Sequence, residues 1–215
     1  MTTDPTPIFT IGHSTHPIEK FVGLLQQHGI QVLADVRSTP FSRFNPQFNR
    51  ASLAHSLASA GIRYEFLGEE LGARSTDPGC YENGRVSYAR LAATPLFRRG
   101  LEHLREVARA QRVAMMCAER EPLDCHRTIL VTRELERAGT AVTHILADGT
   151  LEPNRHAMGR LIDRLKLFPT SSTVSPDLKT ARVPVVTQQV RCPFSSVELE
   201  SRSSVALYAM TGDER

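Results

Sequence analysis

Apolar residues recur along this chain in two spacings, one typical of buried strands and one typical of amphipathic helices. Short apolar runs bounded by glycine, proline or polar residues predict five strands. These runs lie at 8–11, about 32–34, 62–68, 112–117 and 141–146. The run at 32–34 has no polar position, which indicates a strand buried on both faces, as in a parallel sheet.

Longer stretches between these runs place apolar residues at i, i+3, i+4 and i+7, and they predict helices. Pro17 suits the first turn of the first helix and Gly29 suits its end. The apolar stripe of this helix consists of Ile18, Phe21, Val22 and Leu25. Further helices are expected just before Gly61, over 97–108, from about 126 to 138 and over 158–165.

Strands that alternate with helices in this way predict an α/β fold. We expect three layers, with a mostly parallel five-stranded sheet and helices on both of its faces. Segment 69–91 is rich in Gly, Asp, Asn and Pro and shows no period, so we expect a long excursion loop there. Ligands of open parallel sheets bind outside the carboxyl ends of the strands, so we expect the site at that edge.

The composition changes near residue 168, after which Ser, Thr and Pro are scattered without a sustained period. This change predicts an α/β domain over 1–167 and a flexible, disordered tail over 168–215. A weak strand at 183–186 is the one element expected within the tail.

The totals describe a globular protein, with 40% hydrophobic and 23% charged residues among 215. No apolar run approaches the length of a membrane span, so we expect no membrane partner. The first residues lack a basic stretch followed by an apolar one, and the chain has only 4 cysteines. We therefore expect a cytoplasmic protein without a disulfide framework. A net charge of +3 is too small to indicate nucleic acid by itself.

Polar and reactive side chains collect where the predicted strands end. These positions are His13 and Ser14 after the first strand, Asp35, Arg37, Ser42 and Arg43 after the second, Arg74 after the third, and Cys117, Glu119, Cys125, His126 and Arg127 after the fourth. Because parallel strands end at one edge, we expect these side chains to share one pocket rim. Helix N-termini and arginines at this edge favour phosphate, sulfate or carboxylate.

Cys125 lies where a helix is predicted to begin, beside His126 and Arg127. The helix dipole and the two neighbouring side chains would lower the pKa of its thiol. A thiolate at such a position is a nucleophile, a redox group or a metal ligand. A cysteine such as Cys117, at the end of a buried strand, equally suits simple core packing. His144, alone on an apolar strand, is expected to be a hydrogen-bonded core histidine.

Our first functional hypothesis is an enzyme, a cysteine-dependent transferase or hydrolase that acts on an anionic phosphate- or nucleotide-bearing ligand. In this hypothesis the catalytic groups are Cys117, Cys125, His13 and His126. Asp35 and Glu119 would orient them. The groups that bind the anion would be Arg37, Arg43, Arg74, Arg127, Ser14 and Ser42.

A second hypothesis is a zinc or iron site formed by Cys117, Cys125 and His126, with Asp35 or Glu119 as an oxygen ligand. The seven residues between the cysteines exceed the spacing of a zinc knuckle, which counts against it. A third hypothesis is a non-enzymatic module that binds nucleic acid or a nucleotide. The sequence shows no helix-turn-helix pattern and no aromatic stacking platform for it. A thiol–disulfide switch between the two cysteines is a minor alternative.

Four motifs follow one another in the chain: TIGHST, LADVRSTPFSRFNPQFN, LGEELGAR and MMCAEREPLDCHRTILV. Together, over about residues 8–145, they resemble the domain of unknown function 488 family. The family pattern is carried by Gly12, His13, Ser14, Asp35, Arg37, Pro40, Ser42, Pro46, Phe48, Leu71, Gly72, Cys117, Glu119, Cys125, His126 and Arg127.

The chain departs from the family after Leu71, where a second glycine and a later bulky aromatic are common; here there is no Trp. The resemblance supports the fold and the site residues. It leaves the reaction, any cofactor and the oligomeric state open, because the family has no settled activity.

Overall fold

A computed structural model describes residues 7–166 of the chain. One compact unit ends at Asn154, and a second begins at Arg155. The predictions for the tail over 168–215, including the strand at 183–186, lie outside the described residues. Within the described residues, no helix is long and apolar enough to cross a membrane.

The helices and strands follow one another in a β/α alternation. In chain order they are β1 (Ile8–Gly12), α1 (Ile18–Gln27), β2 (Val32–Asp35), α2 (Arg50–Ser59), β3 (Arg63–Phe66), α3 (Gly68–Leu71), β4 (Tyr81–Glu82), β5 (Arg85–Val86), α4 (Tyr88–Ala93), α5 (Pro95–Ala110), β6 (Val113–Cys117), a π-helix (Arg127–Thr132), α6 (Arg133–Arg137), β7 (Val142–Ile145), β8 (Leu151–Pro153) and α7 (Asn154–Leu165). Short 3-10 turns lie at Pro46–Phe48, Pro78–Cys80 and Pro122–Asp124.

The central sheet confirms the predicted fold class, with one more strand than expected. Its order is β3-β2-β6-β1-β7-β8. The first five of these strands are parallel and correspond to the five predicted strands. The sixth, β8, pairs antiparallel with β7. Three residues that include Pro153 carry no alternation of apolar and polar positions, so this strand could not be predicted from the pattern.

Two apolar clusters cover the two faces of the sheet. Along β6, Met115 and Cys117 belong to one cluster, whereas Ala114 and Met116 belong to the other. The first cluster includes residues of α4, α5, the π-helix and α6. The second includes the apolar stripe of α1 together with Leu53 and Leu57 of α2. The expected three layers are therefore present, and every residue of β6 is buried, as a central parallel strand requires.

The segment expected to be an excursion loop is more ordered than the sequence indicated. Residues 69–91 contain most of α3, a 3-10 turn, the β4–β5 hairpin and the start of α4. Each of these elements has two to six residues, which is too short for a periodic pattern. The helix expected over 126–138 is also divided, because Arg127–Thr132 is π-helical and only Arg133–Arg137 is α-helical.

The topology places the end of β6 at a point where the direction of the connections changes. Strand β6 lies between β2 and β1. The helices that follow β1 and β2 pack in one apolar cluster, and the helical segment that follows β6 packs in the other. A crevice opens at such a switch point in doubly wound sheets. The residues that follow β6 are therefore placed where this fold holds its ligands.

Candidate metal centre at the end of β6

Four side chains with metal-ligating atoms meet just beyond β6. The sulfurs of Cys117 and Cys125, one carboxylate oxygen of Glu119 and one ring nitrogen of His126 all lie within 4.8 Å of one another. Both sulfurs lie 2.9 Å from Oε2 of Glu119. Nδ1 of His126 lies 3.5 Å from the sulfur of Cys117 and 4.0 Å from that of Cys125. Cys117 and Cys125 are buried, and Glu119 and His126 are partly exposed.

The local backbone explains how two cysteines separated by seven residues come together. After β6 ends at Cys117, the chain turns back through the 3-10 turn Pro122–Asp124. Cys125 is extended, and its carbonyl accepts from the backbone N–H groups of Thr128 and Ile129. Cys125 therefore lies just ahead of the helical turns, and His126 is the first residue with a helical backbone. Pi-helical segments of this kind often occur at functional sites.

A backbone carbonyl fixes the orientation of His126. Its Nε2–H donates to the carbonyl of Val36 at 3.0 Å. In the neutral ring this bond leaves the lone pair of Nδ1 free on the side of the sulfurs. Metal-bound histidines have the same arrangement, because a hydrogen bond to the second nitrogen fixes the tautomer of the ligand.

The two thiols and their neighbours have strongly altered acidities. Burial, together with the hydrogen bond to Cys125, raises the pKa of Cys117. Burial opposes ionisation of Cys125 as well, but the bond from Cys117 and the charge of Arg127 outweigh it and lower the pKa of Cys125. Burial and the charge of Cys125 raise the pKa of Glu119. Burial disfavours the imidazolium of His126, yet its contact with Cys125 raises the pKa of the ring.

Arg127 places a buried positive charge beside this group. It is 1% exposed, and it donates to the carbonyls of Glu119 at 2.7 Å and Arg120 at 3.3 Å. Its Nε has no partner among the described residues. A buried guanidinium normally pairs with an anion. Here its charge acts to lower the pKa of both Cys117 and Cys125, which favours a thiolate beside it.

A second polar cluster, formed by His13, Asp35, Arg37 and Tyr64, lies at the carboxyl ends of β1 and β2 and includes one side chain of β3. Arg37 forms a two-point ion pair with Asp35, at 2.9 Å from Nε to Oδ1 and 2.6 Å from Nη2 to Oδ2. The hydroxyl of Tyr64 donates to the same carboxylate at 2.8 Å. Burial opposes ionisation of Arg37, but the pair with Asp35 raises the pKa of Arg37.

His13 is held in one neutral tautomer within this cluster. Its Nδ1–H donates to the carbonyl of Ser14 at 2.8 Å, and its Nε2 accepts from Arg37 at 3.3 Å. The ring stacks on Phe48 with centroids 4.2 Å apart. Burial lowers the pKa of His13 to about 4, and the charge of Arg37 contributes. Ser14 has a φ of 48°, an unusual value for a residue with a side chain.

Close backbone contacts connect the two clusters. The N–H groups of His13 and Ser14 donate to the carbonyls of Cys117 and Ala118, which extends the β1–β6 pairing past the end of the strands. A Cβ at Gly12 would lie 1.9 Å from the carbonyl oxygen of Glu119. The sequence needs glycine at position 12 because the backbone at Glu119 passes directly over it.

The expected meeting of distant residues at one edge is therefore present for His13, Asp35, Arg37, Cys117 and Arg127. Of the two proposed oxygen ligands, Glu119 joins the sulfurs, whereas Asp35 is paired with Arg37.

The side chain of Ser42 accepts from the N–H of Asn45 in its own loop, and Arg43 and Arg74 are exposed. None of the three contacts the cluster in the hydrogen bonds of the described residues. The catalytic and anion-binding roles assigned to these residues remain predictions.

Two residues of the site, Tyr64 and Val36, could not be assigned to it from the sequence. Tyr64 lies within a predicted strand, and its contact with Asp35 depends on the register of β2 against β3. Val36 contributes only a carbonyl. The prediction for His144 is confirmed, because Thr10 at 2.8 Å and Asn154 at 2.9 Å satisfy both of its nitrogens.

The fold and the site together define a doubly wound α/β protein with a buried Cys–Glu–His cluster at the carboxyl edge of its sheet. A family model described as a domain of unknown function, DUF488, matches residues 17–133, which is more than half of the chain, and the chain belongs to this family. Comparison with curated proteins and with solved structures gives no match.

Proposed function

We propose that this protein binds one divalent transition-metal ion, with zinc as the preferred metal, through Cys117, Cys125, His126 and Glu119. The observation that supports the proposal is the convergence of two sulfurs, one imidazole nitrogen and one carboxylate oxygen within 4.8 Å. Metal-to-ligand distances of about 2.0–2.3 Å correspond to ligand separations of about 3.3–3.8 Å in a tetrahedron. The four atoms need only small movements to reach such separations.

The chemistry of the ligands favours zinc over harder cations. Two thiolates and an imidazole are the soft and borderline donors that zinc prefers, whereas calcium and magnesium take oxygen ligands. Iron(II) accepts the same donors and is the alternative metal. The hydrogen bond from His126 to Val36 supports the proposal independently of the distances, because it directs the basic nitrogen towards the sulfurs.

The charge balance also supports a metal. Two thiolates and a carboxylate carry three negative charges, and a divalent ion compensates two of them. The buried guanidinium of Arg127 then balances the third. Without a metal, burial keeps protons on Cys117 and Glu119, as their raised pKa values indicate. Metal binding should therefore release protons.

Glu119 is the ligand that can exchange. It is partly exposed, and its neighbours Ala118 and Arg120 are exposed. A site with three retained protein ligands and one displaceable position is typical of catalytic zinc, in which water or substrate takes the fourth position. The cysteine-nucleophile hypothesis has less support, because Cys117 is 3% and Cys125 1% exposed, out of reach of an external substrate.

Elemental analysis of the full chain tests the proposal. We expect about one metal ion per chain after purification with trace zinc, and loss of most of it in Cys117→Ser and in Cys125→Ser. Cys80→Ser is the matched control, because Cys80 is also a buried free cysteine but lies outside the cluster. Folding of each variant is checked by circular dichroism.

Iron at the same stoichiometry would support the site and replace zinc as the metal. A protein that takes up no metal from zinc or iron(II) under reducing conditions would contradict the proposal, as would equal metal contents in the Cys80 and Cys125 variants.

A further inference from the structure

Two phenylalanine rings protrude into solvent from the loop between β2 and α2. Phe41 is 66% exposed and Phe44 is 76% exposed, and they are the most exposed large hydrophobic side chains of the described residues. Scattered exposed apolar residues are common, but two aromatic rings three positions apart on one loop are not explained by packing.

Hydrogen bonds hold this loop in one shape. The N–H of Ser42 donates to the side chain of Asn49 at 2.7 Å, and the hydroxyl of Ser42 accepts from the N–H of Asn45 at 3.0 Å. The N–H of Arg50 donates to the carbonyl of Pro40 at 3.0 Å. The rings are therefore presented by a preorganised backbone, with Phe48 buried beneath as the anchor of the loop.

Cationic side chains lie within the loop and next to it. From 38 to 50 the only charged residues are Arg43 and Arg50, and both are exposed. The exposed Arg74 adjoins the loop, because its N–H donates to the hydroxyl of Ser38 at 3.0 Å. On the other side, the amide of Gln47 donates to the carbonyl of His16. The charges of Lys20 and Arg120 reach His16, whose pKa is lowered by burial and by both of them.

We propose that Phe41, Arg43 and Phe44, with Arg74 beside them, form a surface that binds a single-stranded nucleic acid. Bases would stack on the two rings, and the arginines would contact the phosphates. Single-strand binders combine a cationic track with aromatic side chains in this way. The two exposed rings supply the stacking platform that the sequence did not reveal. The surface lies at the same edge of the sheet as the metal cluster, yet the proposal does not depend on a metal.

The chemistry of the surface distinguishes among partners. A duplex hides its base faces, so protruding rings gain nothing from it unless a base is unstacked. A single strand offers both a charge repeat and exposed π-faces, which matches alternating Phe and Arg side chains. An anionic membrane would also accept Phe and Arg side chains, and it is therefore one arm of the test.

Fluorescence anisotropy with the full chain and a labelled 20-nucleotide oligothymidylate tests the proposal. We expect binding that weakens with salt. Phe41→Ala and Phe44→Ala should each weaken it by at least about 5-fold, the lower limit for loss of one base–aromatic stack. Phe44→Leu should weaken binding almost as much, and Phe44→Trp should preserve it, because the ring and not hydrophobicity is required. Arg43→Ala should reduce the slope of log affinity against log salt by about 0.7.

Matched controls separate this surface from general effects. Leu151→Ala removes a 46% exposed leucine from β8, at the far edge of the sheet. Arg109→Ala removes an exposed arginine from the end of α5 that leads to the amino end of β6. Neither variant should change the affinity by more than about twofold. All variants should keep their metal content, so failure here would be distinguishable from failure of the metal proposal.

Three outcomes of the oligonucleotide assay would overturn the inference. In the first, the protein does not bind the oligonucleotide at 50 mM salt, and in the second it binds a blunt duplex of the same length with equal affinity. The third such outcome is full affinity in the double variant Phe41→Ala/Phe44→Ala. Binding to vesicles of anionic phospholipid in place of the oligonucleotide, lost in the same double variant, would also overturn it and assign the surface to a membrane.

Discussion

Nε2 of His126 donates to the backbone carbonyl of Val36 over 3.0 Å, although the two residues are 90 positions apart. The bond joins the start of the π-helix to the end of β2, across the end of β6. It gives the ligand cluster a rigid support that does not belong to the loop between Cys117 and Cys125. A preformed orientation of this kind reduces the cost of binding a metal.

Metal binding should stabilise the fold, and His126 should be required for this effect. With free zinc at about one hundred times its dissociation constant, we expect the free energy of unfolding to rise by about 2.7 kcal/mol. In His126→Gln the increase should nearly vanish. Urea unfolding with zinc and with a chelator measures it, and the exposed His103→Gln serves as the control. An equal increase in both variants would mean that zinc acts elsewhere.

Gly12→Ala should disturb the cluster although position 12 contributes no ligand. The new Cβ would lie 1.9 Å from the carbonyl oxygen of Glu119 and 3.2 Å from Nη1 of Arg127, so the backbone of Glu119 must move. We expect lower stability and a lower metal content. Gly23→Ala is the matched control, because nothing lies within 4 Å of its Cβ and it lies within α1. There the substitution should stabilise the protein by about 0.5–1 kcal/mol.

Asp35→Asn should destabilise the protein far more than Tyr64→Phe. The first change leaves the guanidinium of Arg37 buried without its counter-charge, which costs about 3–5 kcal/mol. The second removes one hydrogen bond to a carboxylate that keeps its other partners, which costs about 1–2 kcal/mol. Urea unfolding at pH 7 gives both values. Similar decreases in the free energy of unfolding would show that the Asp35–Arg37 pair contributes no more to stability than the hydroxyl of Tyr64.

The sequence was sufficient to predict the parallel sheet because its three inner strands, β1, β2 and β6, are buried on both faces. The runs of Ile8, Val32 and Val113 leave no polar alternation to confuse with a solvent-facing strand. The short elements of 69–91 were missed for the opposite reason. They are stabilised by local bonds such as the one from the N–H of Gly79 to the side chain of Asp77, which produce no periodic pattern.

The residues of the candidate site could be predicted from the sequence, but their three-dimensional arrangement could not. The positions at strand ends identified Cys117, Cys125 and His126 as neighbours. The spacing between the cysteines counted against a metal, because a linear spacing does not reveal that a 3-10 turn at Pro122–Asp124 returns the chain. The choice of Glu119 over Asp35 as the oxygen donor depends on a three-dimensional pairing, since Arg37 already occupies Asp35.

Acid should destabilise the protein partly through His144. The hydroxyl of Thr10 donates to Nδ1, and Nε2–H donates to Oδ1 of Asn154, whose amide donates to Glu136 at 2.8 Å. Both ring nitrogens are thus used by the neutral form. Burial is the main reason that the pKa of His144 is lowered to about 4, against an ordinary value of 6.5.

The unfolded chain therefore binds a proton at this histidine between pH 6.5 and 4 that the folded protein does not bind. The free energy of unfolding should be unaffected by this group above pH 6.5 and should fall as the pH decreases towards 4, by about 3 kcal/mol in total. The difference between wild type and His144→Gln, followed by urea unfolding from pH 7.5 to 4, isolates this contribution from other acid-sensitive groups. The exposed His55→Gln should parallel the wild type. A constant difference between wild type and His144→Gln over this range would mean that the folded protein accepts a proton at His144 as readily as the unfolded chain does.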